Sequence, residues 1–148
     1  MANGALRTEL TTDPLRRGYA AMTDEQAAAS LLAVDIPVRQ RVSIARLQAT
    51  AMEQSVYLAL RTAIATPTTP PQLMALCQTV LDLVQARFED VDLDNPRSKT
   101  IWAALQQYGV ITAAQSAAID ALADGVVSRA SQLGLGDVTA GEVGRVRV

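Results

Sequence analysis

GLGDVTAGEVGRVRV, residues 134–148, closes the chain, and its reading decides the fold. Arg145, Val146, Arg147 and Val148 alternate polar and apolar, the period of a strand with one buried face. Four residues cannot form a sheet alone, so this segment reads as an extended C-terminal arm that seeks an edge on another polypeptide. At about 3.3 Å per residue, fifteen residues would span on the order of 45–50 Å. The competing readings are a frayed terminus and a short capped turn at Thr139–Glu142.

Working outward, the rest of the chain reads as helix. Apolar residues make up 49% of the 148 and charged ones 19%, a globular composition, while aromatics are only 3%. A core of Leu, Val, Ile and Ala with so few aromatics favours helix packed on helix over sheet. The expectation is an all-α fold: a bundle of five to six helices over residues 1–133, with 1–22 as an arm on one reading, and the tail at 134–148.

Local signals place the helices. A short helix fits residues 5–11 and stops at Asp13-Pro14. Thr23 and Gln26 have capping-box spacing, so a helix starts at Asp24 and ends before Asp35-Ile36-Pro37. Residues 43–65 read as helix, broken near Thr50, with Met52, Val56, Leu60 and Ile64 on the second face. TPTTPP, residues 66–71, is a loop. A helix over 70–89 shows Leu73, Leu76, Cys77, Val80, Val84 and Phe88 on one side. Asp94 or Asn95 caps the next, which starts at Pro96, turns Trp102, Leu105 and Tyr108 inward and stops at Gly109. Thr112 opens the last, predicted to run to Leu133 with Ile119, Leu122, Val126, Ala130 and Leu133 facing the core.

Several chemistries are disfavoured. The sequence has no histidine, which removes the usual general base and the commonest metal ligand. The single cysteine, Cys77, sits on an apolar stripe and reads as packing. Asp90, Asp92 and Asp94 have calcium-loop spacing, but Asn95 and Ile101 stand where that loop needs Gly and Glu. Gly134, Gly136 and Gly141 lack the preceding strand of a phosphate loop. The expectation is therefore no enzyme, no cofactor and no metal.

The net charge of −2 gives no general pull toward nucleic acid. Arg16-Arg17, Arg39 with Arg41, and Arg145 with Arg147 make no dense basic stripe, leaving at most incidental contact with DNA passing through a channel. No stretch reaches the roughly 20 apolar residues that a membrane span needs. The opening MANGALRTELTTD has no basic start followed by an apolar run, so a soluble intracellular chain is expected. Arginine outnumbers lysine twelve to one, which suits planar pairing at protein interfaces.

Two segments carry a family resemblance. Thr8 to Leu10, Asp13-Pro14-Leu15, Arg17-Gly18-Tyr19 and Met22-Thr23-Asp24 follow the pattern TEL-x-x-DP-L-x-RGY-x-x-M-[ST]-D. Ser128-Arg129-Ala130, Leu133-Gly134-Leu135, and Val138 with Gly141-Glu142-Val143 follow SRA-x-x-LGL and V-x-x-G-[DE]-[VI]. Together they cover both ends of the chain, and they resemble small virion-morphogenesis proteins of tailed bacteriophages and prophages. Arg16 departs from the pattern, which often has Gly there.

The resemblance implies a structural protein of the particle. The plan of a head-to-tail connector, or adaptor, would make it a homo-oligomer: a ring of roughly twelve copies in the neck of the virion. Its partners would be the portal protein, reached through the C-terminal arm, and a downstream tail or neck protein. The alternatives are another neck or tail structural protein, a tail-assembly factor, or a small cytoplasmic helical binding module. On the arm reading, Val138, Val143, Val146 and Val148 fill partner pockets while Arg145 and Arg147 pair at the rim. Arg16, Arg17 and Tyr19 are a second interface candidate. For Tyr19 the favoured reading is that it staples the first helices together, its hydroxyl kept in water.

Overall fold

The computed structural model describes residues 2–85 and 90–148. Phe88, expected on an apolar stripe, lies outside the described residues. The chain divides into two compact units, one built from residues 1–38 with 126–148 and the other from residues 39–125.

The first unit joins the two ends of the sequence. It opens with α1 (Ala2–Thr12), a 3-10 turn at Tyr19–Ala21 and α2 (Asp24–Leu32). Thr23 caps α2 with the expected box: its hydroxyl accepts from the Gln26 N–H at 3.2 Å, and the Gln26 side chain accepts from the Thr23 N–H at 2.9 Å. Strand β1 (Val34–Arg39) follows and pairs with β4 (Asp124–Ser128). The short α8 (Arg129–Gln132) and α9 (Ala140–Arg147) complete it. Leu6, Leu10, Tyr19, Ala27, Ala28 and Leu31 form its core with Ala130, Val138, Val143 and Val146.

The second unit contains β2 (Val42–Ser43), α3 (Ile44–Glu53), α4 (Val56–Ala65), α5 (Pro71–Gln85), β3 (Asp90–Val91), α6 (Pro96–Gln107) and α7 (Ala113–Asp120). Strands β2 and β3 are antiparallel, with Val42 opposite Val91 and Ser43 opposite Asp90. Asn95 caps α6 by accepting from the Arg97 N–H at 2.9 Å, and Pro96 supplies the first helical position. The helix break expected near Thr50 falls later, at Ser55, whose φ is 57°. Leu47, Leu60, Cys77, Val80, Leu105 and Ile119 are fully or almost fully buried at its centre.

Three expectations are corrected. The fold is not all-α, because four strands form two two-stranded sheets among the described residues. The long helix expected from Thr112 to Leu133 ends at Asp120 and gives way to a 3-10 turn and β4. Asp124-Gly125 interrupts helical propensity, and Val126-Val127 are β-branched. Val126, expected inward, is exposed on the strand. Nor is there an extended C-terminal arm, since residues 140–147 are helical and pack on their own unit.

The helix wins in the tail for local reasons. Thr139 accepts from the Glu142 N–H at 3.3 Å, and Glu142 accepts from the Thr139 N–H at 2.9 Å, a complete capping box. Val138 just before the cap and Val143 four positions after it are both buried, the arrangement of a hydrophobic staple. Val143 and Val146 then share one helical face, whereas a strand would put them on opposite sides.

Candidate functional site

In the first unit, the residues carrying the family resemblance meet one another. Glu9 is 3% exposed. Arg129 donates to it twice, Nε to Oε1 at 2.9 Å and Nη2 to Oε2 at 2.7 Å. A carboxylate this buried requires such a partner, and the two-pronged geometry satisfies both of its oxygens. The carboxylate also holds the Arg129 guanidinium above its ordinary pKa.

The Arg-Gly-Tyr turn is organised by Asp13. Its carboxylate accepts from the Arg17 and Gly18 N–H groups, each at 2.7 Å. Burial alone would raise the Asp13 pKa, but the N–H donors of Gly18, Arg17 and Tyr19 outweigh it and hold the group below its usual value. Gly18 supplies the left-handed φ of 80° that the turn needs. Arg16, the departure from the pattern, has a φ of 53°, so the backbone there is of the kind that favours glycine.

Arg17 turns inward. It donates to the carbonyl and hydroxyl of Ser30 and pairs with Asp35 at 2.5 Å, its side chain only 13% exposed. Tyr19 is fully buried, against the expectation of a solvated hydroxyl. That hydroxyl has no hydrogen-bond partner among the described residues, and burial pushes its pKa up.

The six tail residues expected to meet a partner are placed as follows. Val138, Val143 and Val146 are buried in the core of the first unit. Arg147 donates to the Met22 carbonyl at 2.9 Å, the Tyr19 carbonyl at 2.6 Å and Asp24 at 2.7 Å, pinning α9 to the turn before α2. Among the described residues Arg145 reaches only the Gly141 carbonyl, at 3.2 Å, and Val148 is fully exposed. The valines thus find their burial at home. Arg16 stays exposed.

The second unit carries two features that sequence reading missed. Arg39 gathers three aspartates: Nε and Nη2 donate to Asp94 at 3.0 Å, Nη2 to Asp120 at 2.7 Å and Nη1 to Asp124 at 2.7 Å. The hydrogen bond from Arg39, led against burial and reinforced by Lys99, keeps Asp94 below its ordinary pKa. Asp90 pairs with Arg41 at 2.6 Å, and the Asp92 carboxylate accepts from the Asp94 N–H at 2.9 Å. The acidic run is therefore spent on arginines and on a turn. Among the described residues no three His, Cys, Asp or Glu side chains are placed to hold a metal ion.

Beside this cluster lies a cleft of about 240 Å³ with Trp102, Leu93, Ile119 and Ala103 on its walls and Lys99 and Asp120 at its edge. A wider groove of about 490 Å³ runs past Leu58, Thr62, Leu73 and Tyr108. Tyr108, expected inward, caps the end of α6 and is 64% exposed. Cys77 is buried, and burial raises its thiol pKa, which keeps it a poor nucleophile. Among the described residues no helix is long and apolar enough to cross a membrane.

No known protein family, curated protein or solved structure matches the chain.

Proposed function

We propose that this chain is a non-catalytic structural component of a tailed-phage particle, acting in several copies at the neck between portal and tail. The observation that carries the reading is the meeting of the two segments that resemble the phage morphogenesis proteins. Glu9 of the first grips Arg129 of the second, and Arg147 beyond it holds the turn that begins with Arg17-Gly18-Tyr19. Residues matching one pattern at opposite ends of a sequence have a common physical purpose when they build one core, which supports a shared fold behind the resemblance. The lack of histidine supports a role without acid–base catalysis.

The C-terminal residues are not the docking element in this proposal, because their apolar side chains are already covered. Contacts with neighbours would use side chains left in water: Leu15, Leu32, Val34 and Val126 in the first unit, and Met52, Leu58 and Tyr108 in the second. The self-contained C-terminus also favours a second reading, an assembly factor that acts on the particle and leaves. Quantitative mass spectrometry of purified virions separates the two. A fixed ring-like copy number supports the component, and absence from virions that need the gene for assembly supports the factor. A particle that assembles normally without the gene would refute both.

A further inference from the structure

The two units have separate interiors. Leu6, Tyr19, Leu31 and Val143 belong to the core of the first and Leu47, Leu60, Trp102 and Ile119 to that of the second, and among the described residues no buried side chain is shared. The second unit is one continuous run of chain that closes at its base. The Gln40 N–H donates to the Ala123 carbonyl at 2.7 Å, and Arg39 pairs with Asp120 and Asp124. A segment whose two ends meet in this way has what it needs to fold without its flanks. The first unit does not. Its halves, residues 1–38 and 126–148, are complete only together, because α1 and α2 both pack on α9 and Glu9 is paired by Arg129.

The first unit is also the weaker. Its core holds ten buried apolar residues among those described, three of them alanines, against sixteen with two alanines in the second. It buries an ion pair that must offset its own desolvation and a Tyr19 hydroxyl with no partner among the described residues. Asp13 and Arg16 add left-handed backbone, at φ 41° and 53°. We infer that the chain opens in a fixed order: residues 1–38 and 126–148 come apart together while residues 39–125 stay folded, and the reverse does not occur. The dependence runs one way because bringing residues 38 and 126 together costs loop entropy that the closed base of the second unit removes in advance. The open form exposes Leu6, Leu10, Leu31 and Val143 in one step and leaves a folded body behind. On synthesis the second unit is complete before Arg129 and α9 exist, so the first is the last to close. The inference does not rest on the particle reading.

Urea unfolding of the full chain, combined with amide hydrogen exchange, tests it. The single tryptophan, Trp102, lies in the second unit, so its fluorescence follows that unit, whereas far-UV circular dichroism follows both. In the wild type the dichroism should begin to fall at lower urea than the Trp102 signal. Val143→Asp places a charge in the first core, and Arg129→Ala strands Glu9. Each should speed exchange of the α2 amides by at least about a hundredfold, while the Trp102 midpoint and the α3 and α5 amides stay as they were. Leu47→Ala in the second core should lower the Trp102 midpoint without moving the first step. Coincident transitions in the wild type would overturn the inference. So would a Trp102 midpoint that falls with Val143→Asp, loss of folding throughout that variant, or Trp102 unfolding while α9 remains protected.

Discussion

Arg129 holds Glu9 by two charge-assisted hydrogen bonds across a separation of 120 residues, and Glu9 is almost wholly out of water. Removing one partner strands the other, which is costly, whereas replacing both by apolar residues of similar size is often close to neutral. Arg129→Ala is expected to lose about 3–5 kcal/mol of stability. The double variant Glu9→Leu with Arg129→Met should recover most of that loss. Urea unfolding of the three proteins checks both statements.

Tyr19 offers a gain as well as a loss. Its ring fills the core of the first unit, but its hydroxyl is buried without a partner among the described residues. Tyr19→Ala should cost about 3–5 kcal/mol, as large-to-small changes in a packed core do. Tyr19→Phe keeps the ring and removes the stranded hydroxyl, so stability should rise by about 1 kcal/mol. A lower melting temperature for Tyr19→Phe would mean that the hydroxyl is satisfied.

Arg16 sits where the related pattern often has glycine, and its φ of 53° explains why glycine suits the position. A left-handed conformation costs a side-chain-bearing residue about 1–2 kcal/mol, partly offset by the extra freedom glycine has when unfolded. Arg16→Gly is expected to raise stability by up to about 1 kcal/mol. Chemical denaturation of the pair of proteins measures it.

Acid should loosen the protein through three identified carboxyls. Burial opposes ionisation of Asp13, but backbone donors prevail and lower its pKa. The Arg39 hydrogen bond lowers that of Asp94, and the Thr139 backbone N–H lowers that of Glu142. A depressed folded pKa gives stability that is complete above the unfolded value, 3.8 for Asp and 4.5 for Glu, and is lost as pH falls through the folded one. The melting temperature should therefore hardly change from these groups between about pH 7 and pH 5.5, and fall below about pH 4. Asp13→Asn should flatten part of that acid limb.

The legible parts of the fold were those specified locally. Thr23 with Gln26, and Asn95 with Pro96, announce helix starts within four residues, and both caps are formed. The apolar stripe through Cys77, Val80 and Val84 marks α5 correctly because its period persists over several turns. Strands β1 and β4 were illegible because each is stabilised by the other, far away in sequence. Moreover, Ile119, Leu122, Val126 and Ala130 happen to fit a helical period across the Asp124-Gly125 break. In the tail, the four-residue alternation of Arg145 to Val148 points to a strand, but the Thr139–Glu142 box fixes backbone hydrogen bonds and the alternation fixes none. The Glu9–Arg129 pair had no local signal at all; only the family pattern placed both residues in view.

The C-terminal helix closes the core of its own unit, and the surface that this unit leaves exposed depends on that. Deleting residues 138–148 would remove Val138, Val143 and Val146, each worth roughly 1.5–3 kcal/mol of burial, and uncover Leu6, Leu10 and Leu31. The truncated chain is expected to bind a hydrophobic dye that the full chain does not.

Amide hydrogen exchange across α9 in the isolated full-length protein is the most direct test. Protection of the Val143 to Arg147 amides comparable to that of α2 is the expected result. Exchange of those amides at the rate of an unstructured peptide, with α1 and α2 still protected, would contradict it.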